Sequence, residues 1–231
     1  MFRMKDKKDY FDLIDSLGDN HAGGSIETPM RADAHMLSDE EKIKIIQTHF
    51  SKVLEALGLD LTDDSLKGTS LRVAKMFVKE IFSGLNPMNE PIASVFENKY
   101  GYNRMLVEKN IALYSTCEHH FLPIVGKAHV AYFPKNNVIG LSKLNRIVEY
   151  YAKRPQVQER LNVQIVNHLK KVLETDDVAC LIDAKHLCVN SRGIKDVTSS
   201  TLTFEYSGKF QDPQLRKEFF ETIKLDPYPE D

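Results

Sequence analysis

Two short runs carry the residue types that hold metal ions. In Cys117-Glu118-His119-His120 a thiol and an imidazole three positions apart can reach one ion from a single turn. Further along, His186-Leu187-Cys188 adds a second thiol and another imidazole. Taken as strand, where residues two apart share a face, His186 and Cys188 address the same volume. Thiolate sulfur and imidazole nitrogen are ligands that zinc favours. Cys117, His120 and Cys188 supply three of them, and three protein ligands with the fourth position left to water is the arrangement of catalytic zinc. Closure of the fourth position by His119 or His186 would make a structural site instead. Either half alone is a weak signal, because a buried cysteine usually behaves as a small apolar side chain. Cys180, in the same alternation but further from the pair, reads as core. His129, His168 and the N-terminal histidines read as ordinary surface or core residues.

A second chemistry is anion binding. Ser142-Lys143-Leu144-Asn145-Arg146 opens a predicted helix that Ser142 caps, where free N–H groups and the positive end of the dipole favour a phosphate. Lys143 and Arg146 add charge. Arg72 and Lys75, one turn apart on an earlier helix, and Arg192 beside Gly193 can add more. The plain alternative for each is a solvated face. Gln158-Glu159 begins a further helix, where a glutamate commonly serves as a dipole partner. Such a carboxylate can also accept from two adjacent N–H donors, the pattern on the edge of guanine.

These residues need a core to position them, and 231 residues with 42% hydrophobic and 28% charged side chains are enough for one. A net charge of −2 excludes a global field for gripping nucleic acid, so an anionic partner must be small and locally bound. No apolar run approaches the roughly 18 residues of a membrane span, and the charged start lacks a signal-peptide core, so the expected place is the cytosol. Three cysteines in a reducing compartment point to metal or catalysis more than to disulfides.

Residues 1–37 are polar and broken by Gly23-Gly24-Ser25, and read as a mobile leader. Residues 38–108 form a helical region. A capping box, Ser38 with Glu41, starts an amphipathic helix whose apolar stripe is Ile43, Ile46, Phe50, Val53, Leu54 and Leu57, ending at Gly58. A second helix is expected over 70–82, with Val73, Met76, Phe77 and Ile81 inside and Arg72, Lys75 and Lys79 outside. From about Lys109 to the end at 231 the pattern is β-β-α-α-β-β. Strands IALYST and GKAHVAYFP are followed by helices near 142–153 and 157–174, then strands VACLIDAKHLCV and VTSSTLTFEYSG and a last helix from Pro213. The class is α+β, with an antiparallel four-stranded sheet.

The runs STCEHHFLPIVGKAHVAYFP, VIGLSKLNRIVEYYAKRPQVQERL and HLCVNSRGIKD, in this order, closely resemble GTP cyclohydrolase I over roughly residues 38–223. The resemblance implies the tunnelling fold, in which sheets of several subunits join into a barrel, and a homodecamer with active sites at subunit boundaries. It implies zinc on Cys117, His120 and Cys188, and conversion of GTP and water to 7,8-dihydroneopterin triphosphate and formate, the first step towards folate or tetrahydrobiopterin. By the same resemblance His119 and His186 are catalytic histidines that move protons during attack of water at C8 of the guanine. Gln158 joins that catalytic set and pairs with Glu159 for guanine recognition. Ser142, Lys143, Arg146 and Arg192 match triphosphate contacts, as do Arg72 and Lys75. Val189, where methionine is frequent, and the long leader are the departures, and the leader bears on any allosteric control. Two other readings stand beside this one. Another tunnelling-fold enzyme, such as a nitrile reductase, would lack the three-ligand pattern, whereas a nucleotide-binding module would keep its zinc for structure.

Overall fold

The computed structural model describes residues 25–224, so the start of the leader and the last seven residues lie outside the described part. Helix α1 spans Asp39–Ala56 and starts with the expected capping box: Glu41 N–H donates to Ser38 Oγ, and Ser38 N–H donates to the Glu41 carboxylate. Its apolar stripe is mostly uncovered. Leu54 alone is buried, Ile43, Ile46 and Phe50 are half-buried, and Val53 and Leu57 face solvent. Helix α2, Thr69–Met76, runs on as a π-helical turn, Phe77–Ile81, close to the expected extent. Lys79 on that turn pairs with Asp39 at 2.7 Å and ties it to the start of α1.

A short strand β1, Val95–Glu97, pairs with β4, Asn137–Ile139. The main sheet holds β2 (Leu106–Cys117), β3 (Pro123–Tyr132), β5 (Pro155–Gln156), β6 (Val178–His186) and β7 (Thr201–Tyr206). Its order is β5-β2-β3-β6-β7. Four strands are antiparallel as expected, and the sheet gains a fifth, because Pro155 and Gln156 run parallel to Thr116 and Cys117 at the end of β2. Strand β6 stops at His186, and Leu187–Asn190 coil into one helical turn. Cys188 is therefore not on the strand face shared with His186, as the alternation suggested.

Helices α3 (Leu141–Ala152) and α4 (Gln158–Leu173) cover one face of the sheet, and α5 (Pro213–Lys224) covers part of the other. Gly140, not Ser142, is the N-cap of α3, and no side chain caps it. Ser142 sits inside the first turn, exposed. Helix α4 is the most deeply placed. Leu161, Ile165 and Leu169 enter the main core, and polar residues beside them are buried with partners. Asn162, for example, donates to Cys180 O and accepts from Thr203 Oγ1, both at 2.9 Å. Among the described residues no helix is long and apolar enough to cross a membrane.

The α1–α2 region docks on the sheet layer at Gly84. Its N–H donates to Lys153 O, and its carbonyl accepts from Arg154 Nε, each at 2.9 Å. A Cβ here would overlap the Tyr150 and Lys153 carbonyls, so only glycine allows the approach. Gly84→Ala is expected to lower unfolding stability by about 1–3 kcal/mol through overpacking, read from the urea midpoint. An unchanged midpoint would show that this contact is loose.

Candidate metal centre

The hairpin between β2 and β3 brings the first half of the site together. Phe121 N–H donates to Cys117 O at 2.9 Å, and Cys117 N–H donates to Leu122 O at 2.8 Å, closing a tight turn over residues 117–122. Phe121 takes a left-handed conformation, φ 55°, which is costly for a side chain with a Cβ and persists only where surroundings enforce it. The enforcement is visible: the Phe121 ring packs edge-on against Phe82 at 5.3 Å, Phe82 against Phe77 at 5.3 Å, and Phe77 against Phe50 at 6.5 Å. Aromatic contacts thus link the helical region to the turn.

The second half arrives because β6 lies antiparallel to β3. His186 pairs with Ile124, at the foot of the same hairpin, and the helical turn that follows swings Cys188 over it. Cys117 Sγ, a ring nitrogen of His120 and Cys188 Sγ all lie within 4.8 Å of one another. Bond lengths of about 2.3 Å to sulfur and 2.0–2.1 Å to nitrogen put the donors of a tetrahedral zinc roughly 3.5–3.8 Å apart. The three donors fit such an ion by type and spacing. Burial and the neighbouring Cys117 thiol push the Cys188 thiol up, and Arg192 opposes them. A cation between the sulfurs would reverse that effect. Cys117 is buried, Cys188 half-buried and His120 exposed, so the group sits at the rim of the core and is open on one side.

His186 faces the same rim. Its Nε2 lies 2.8 Å from Gln158 Oε1, while Gln158 Nε2 points at three acceptors: Ile182 O at 3.1 Å, Thr201 O at 2.8 Å and Thr203 Oγ1 at 3.0 Å. The amide nitrogen has acceptors on every side, so its oxygen must face the histidine and accept from Nε2–H. Nδ1 is then the ring position left to exchange a proton. Burial lowers the His186 pKa, His119 lowers it further, and exposed Glu159 works against both. Gln158 is buried, with its amide fully engaged inside the protein, whereas Glu159 points out.

The expected phosphate contacts divide. Arg192, exposed in the loop after Cys188, acts on the metal group electrostatically. Arg72 donates to Ser65 O and Thr69 Oγ1 at the start of its own helix, and Lys75 is exposed beyond it. Helix α3 ends beside the metal turn, where Ser115 Oγ donates to Ala152 O at 2.7 Å. Its start follows Ile139, whose N–H donates to Tyr132 Oη at the far end of the sheet. At 1.5 Å per residue, Ser142 stands about 15 Å back along α3 from Ala152. Ser142 and Lys143 therefore begin from the other end of the layer, whereas Arg146, in the middle of the helix, lines a cavity with Ser83, Gly84, Tyr150 and Lys153.

Two residues that the motifs left out stand directly behind the turn. Arg160 makes a two-pronged pair with Glu118, at 2.6 and 3.2 Å, between the candidate ligands Cys117 and His120. The signal was present in the sequence as a polar stripe, Arg160, Gln164 and His168, running at four-residue spacing beside the apolar stripe of α4.

The family model for GTP cyclohydrolase I matches residues 46–224 of the chain. A protein of Flavobacterium johnsoniae named GTP cyclohydrolase 1 is 64% identical over 215 residues, covering 93% of this chain and 96% of its own. Proteins of the same name from Citrobacter koseri and Escherichia coli O1:K1 are 50% and 49% identical over 200 residues, covering 86% of this chain and 90% of theirs.

The geometry predicts one zinc per chain after purification in zinc-containing medium. Cys117→Ser and Cys188→Ser should each lose the metal on dialysis against a mild chelator while keeping the far-ultraviolet circular dichroism of the parent. Full zinc content in a folded Cys188→Ser variant would remove that residue from the ligand set.

Proposed function

The chain belongs to the GTP cyclohydrolase I family, and from that membership we propose that it is itself a zinc-dependent GTP cyclohydrolase I. It hydrolyses the imidazole ring of GTP at C8, releases formate and yields 7,8-dihydroneopterin triphosphate. The observation that carries the reading is the convergence of Cys117, His120 and Cys188 beside a histidine whose tautomer Gln158 sets. Zinc bound there supplies Lewis acidity, which lowers the pKa of a water towards about 7.

The chain's own residues do the rest in this proposal. Glu159, exposed at the head of α4, accepts from N1–H and the 2-amino group of guanine and so distinguishes GTP from ATP. Attack of water at C8 drives electrons onto N7, and His186 Nδ1 takes a proton from that water and passes it to N7. His119, close enough to perturb His186, carries the next proton as the opened formamide is hydrated and formate leaves. The ribose then rearranges and closes onto the freed amines. Ser142, Lys143, Arg146, Arg192, Arg72 and Lys75 hold the triphosphate, a handle remote from the reacting atoms.

The same proposal takes the working form to be a homo-oligomer, a decamer by family resemblance, in which residues 109–231 form the tunnelling-fold barrel and residues 38–108 an outer helical region. The separation of Ser142 and Lys143 from the metal group along α3 supports a site completed by two chains. So do the exposed apolar side chains Val53 and Leu57 on α1 and Leu202 and Phe204 on edge strand β7, which a second copy would cover.

Incubation of the zinc-loaded protein with GTP should release formate and, after oxidation, give a fluorescent pterin. His186→Ala should keep its zinc and bind GTP but form no pterin. Zinc retained with neither product from the parent protein would favour a nucleotide-binding module. The shared site is checked by mixing two inactive variants, Lys143→Ala and Cys188→Ser, under conditions that exchange subunits. Activity should return in the mixture, and its absence in proven hybrids would place both residues in one chain's site.

A further inference from the structure

Glu118 lies between two of the residues proposed to hold zinc, and its own side chain points away from them into the protein. Arg160 Nη1 and Nη2 donate to its two oxygens at 2.6 and 3.2 Å. The guanidinium is almost wholly buried, with a side-chain exposure of 6%. Its third contact is unusual in origin: Arg160 Nε donates at 3.1 Å to the carbonyl of Ser25, in the segment that precedes the helical region. One turn along α4, Gln164 Nε2 donates to Ile26 O at 3.0 Å and lies 3.5 Å from Thr28 Oγ1. Gln164 Oε1 accepts from Gln156 Nε2 at 2.8 Å, and Gln156 O accepts from Glu118 N–H at 3.0 Å. Glu118 is thus gripped at its backbone by the Gln156 carbonyl and at its carboxylate by Arg160, and both routes end, through Gln164 and Arg160, on residues 25–28.

We propose that Arg160 is a positioning residue for the metal centre, holding the Cys117–His120 turn through Glu118, and that the seating of residues 25–28 is coupled to that hold. The proposal rests on the zinc reading above. A turn that must present Cys117 inward and His120 outward to one ion tolerates little rotation, and a planar fork on the carboxylate between them fixes both rotation and depth. A lysine cannot replace the fork, since its ammonium offers no matched pair of donors. Arg160 has no part in binding GTP or moving protons in this scheme. It acts through Glu118, whose Oε1 also lies 3.9 Å from His119 Nε2, so the rate of zinc release is the readout that isolates the hold on the turn.

The test times zinc release from the full-length, zinc-loaded chain to a chromogenic chelator. Arg160→Met should release zinc about 10-fold faster or more, the scale set by residues that support metal ligands. Its kcat should fall while KM for GTP holds, and Arg160→Lys should not restore the parent's release rate. Glu118→Gln, which keeps shape at a partly exposed position, should reproduce the effect and serves if Arg160→Met fails to fold. The double variant should release no faster than the single ones, because one interaction is removed in each. Amide exchange in Arg160→Met should quicken together at residues 26–28 and 118–121. Parent-like release in folded Arg160→Met or Glu118→Gln, or additive effects in the double variant, would overturn the proposal while leaving the zinc reading intact. Exchange that rises at only one of the two segments would overturn the coupling. A parent chain that holds no zinc would overturn both readings.

Discussion

Three consecutive residues at the start of α4 face three ways, and the site depends on that divergence. Successive helical residues are turned by about 100°, so Gln158, Glu159 and Arg160 cannot share a side. Gln158 reaches the end of β6 and orients His186, Glu159 points to solvent, and Arg160 reaches the turn after β2. One rigid element therefore sets the relative positions of two strand ends that are far apart in sequence. Helix α4 can do this because its body is buried along most of its length, with Leu161, Ile165 and Leu169 packed in the core. A helix free to slide would move the histidine and the metal turn together and lose both.

Burying a guanidinium is expensive, since the desolvation of a single ion amounts to several kcal/mol even after relaxation. Its pairing with Glu118 largely offsets that cost without adding much stability. A well-packed methionine and leucine in the same places would serve the core as well. What an apolar pair lacks is direction. The same logic covers Gln158: an amide with four polar neighbours is worth little to the fold but leaves His186 with one tautomer. Polar groups at this rim are thus arranged for geometry, and the apolar layer beneath them provides cohesion.

Most of the architecture was legible in the sequence because it follows from local rules. The capping box at Ser38, the 3.6-residue periodicity of α1 and α4 and the alternation in β2, β3 and β6 each announce an element. Cys117, His120 and Cys188 were legible as a group that could hold a metal from residue type and spacing, and the fold brings them together. The detail that failed was the path to Cys188, because the alternation of β6 continues past His186 in composition while the backbone coils. A four-residue helical turn has no period to read. The cap of α3 failed for a related reason: serine is a strong cap residue, but Gly140 supplies the extended backbone two positions earlier and Ser142 is already helical. Arg160 is not legible because a charged residue beside Gln158-Glu159 reads as surface, and only the tertiary placement of α4 turns that stripe inward.

The unpaired features of the isolated chain share one explanation in the proposed assembly. A helix as amphipathic as α1 does not leave Val53 and Leu57 in water without a driving force to cover them elsewhere. Edge strand β7 shows Leu202 and Phe204 and offers unpaired backbone groups, the condition that soluble proteins normally avoid. Joining β7 to another sheet would remove the edge and cover the apolar side chains at once. It would also bring a foreign chain close to β6, whose last residue is His186, and to the loop carrying Arg192. A polyanionic substrate needs more positive charge than Arg192 provides at the metal rim, and the remaining candidates lie at the start of α3 and on α2. Association through the sheet edge therefore answers the burial problem and the substrate's charge with a single contact, which is the strongest physical reason to expect that catalysis and assembly were selected together.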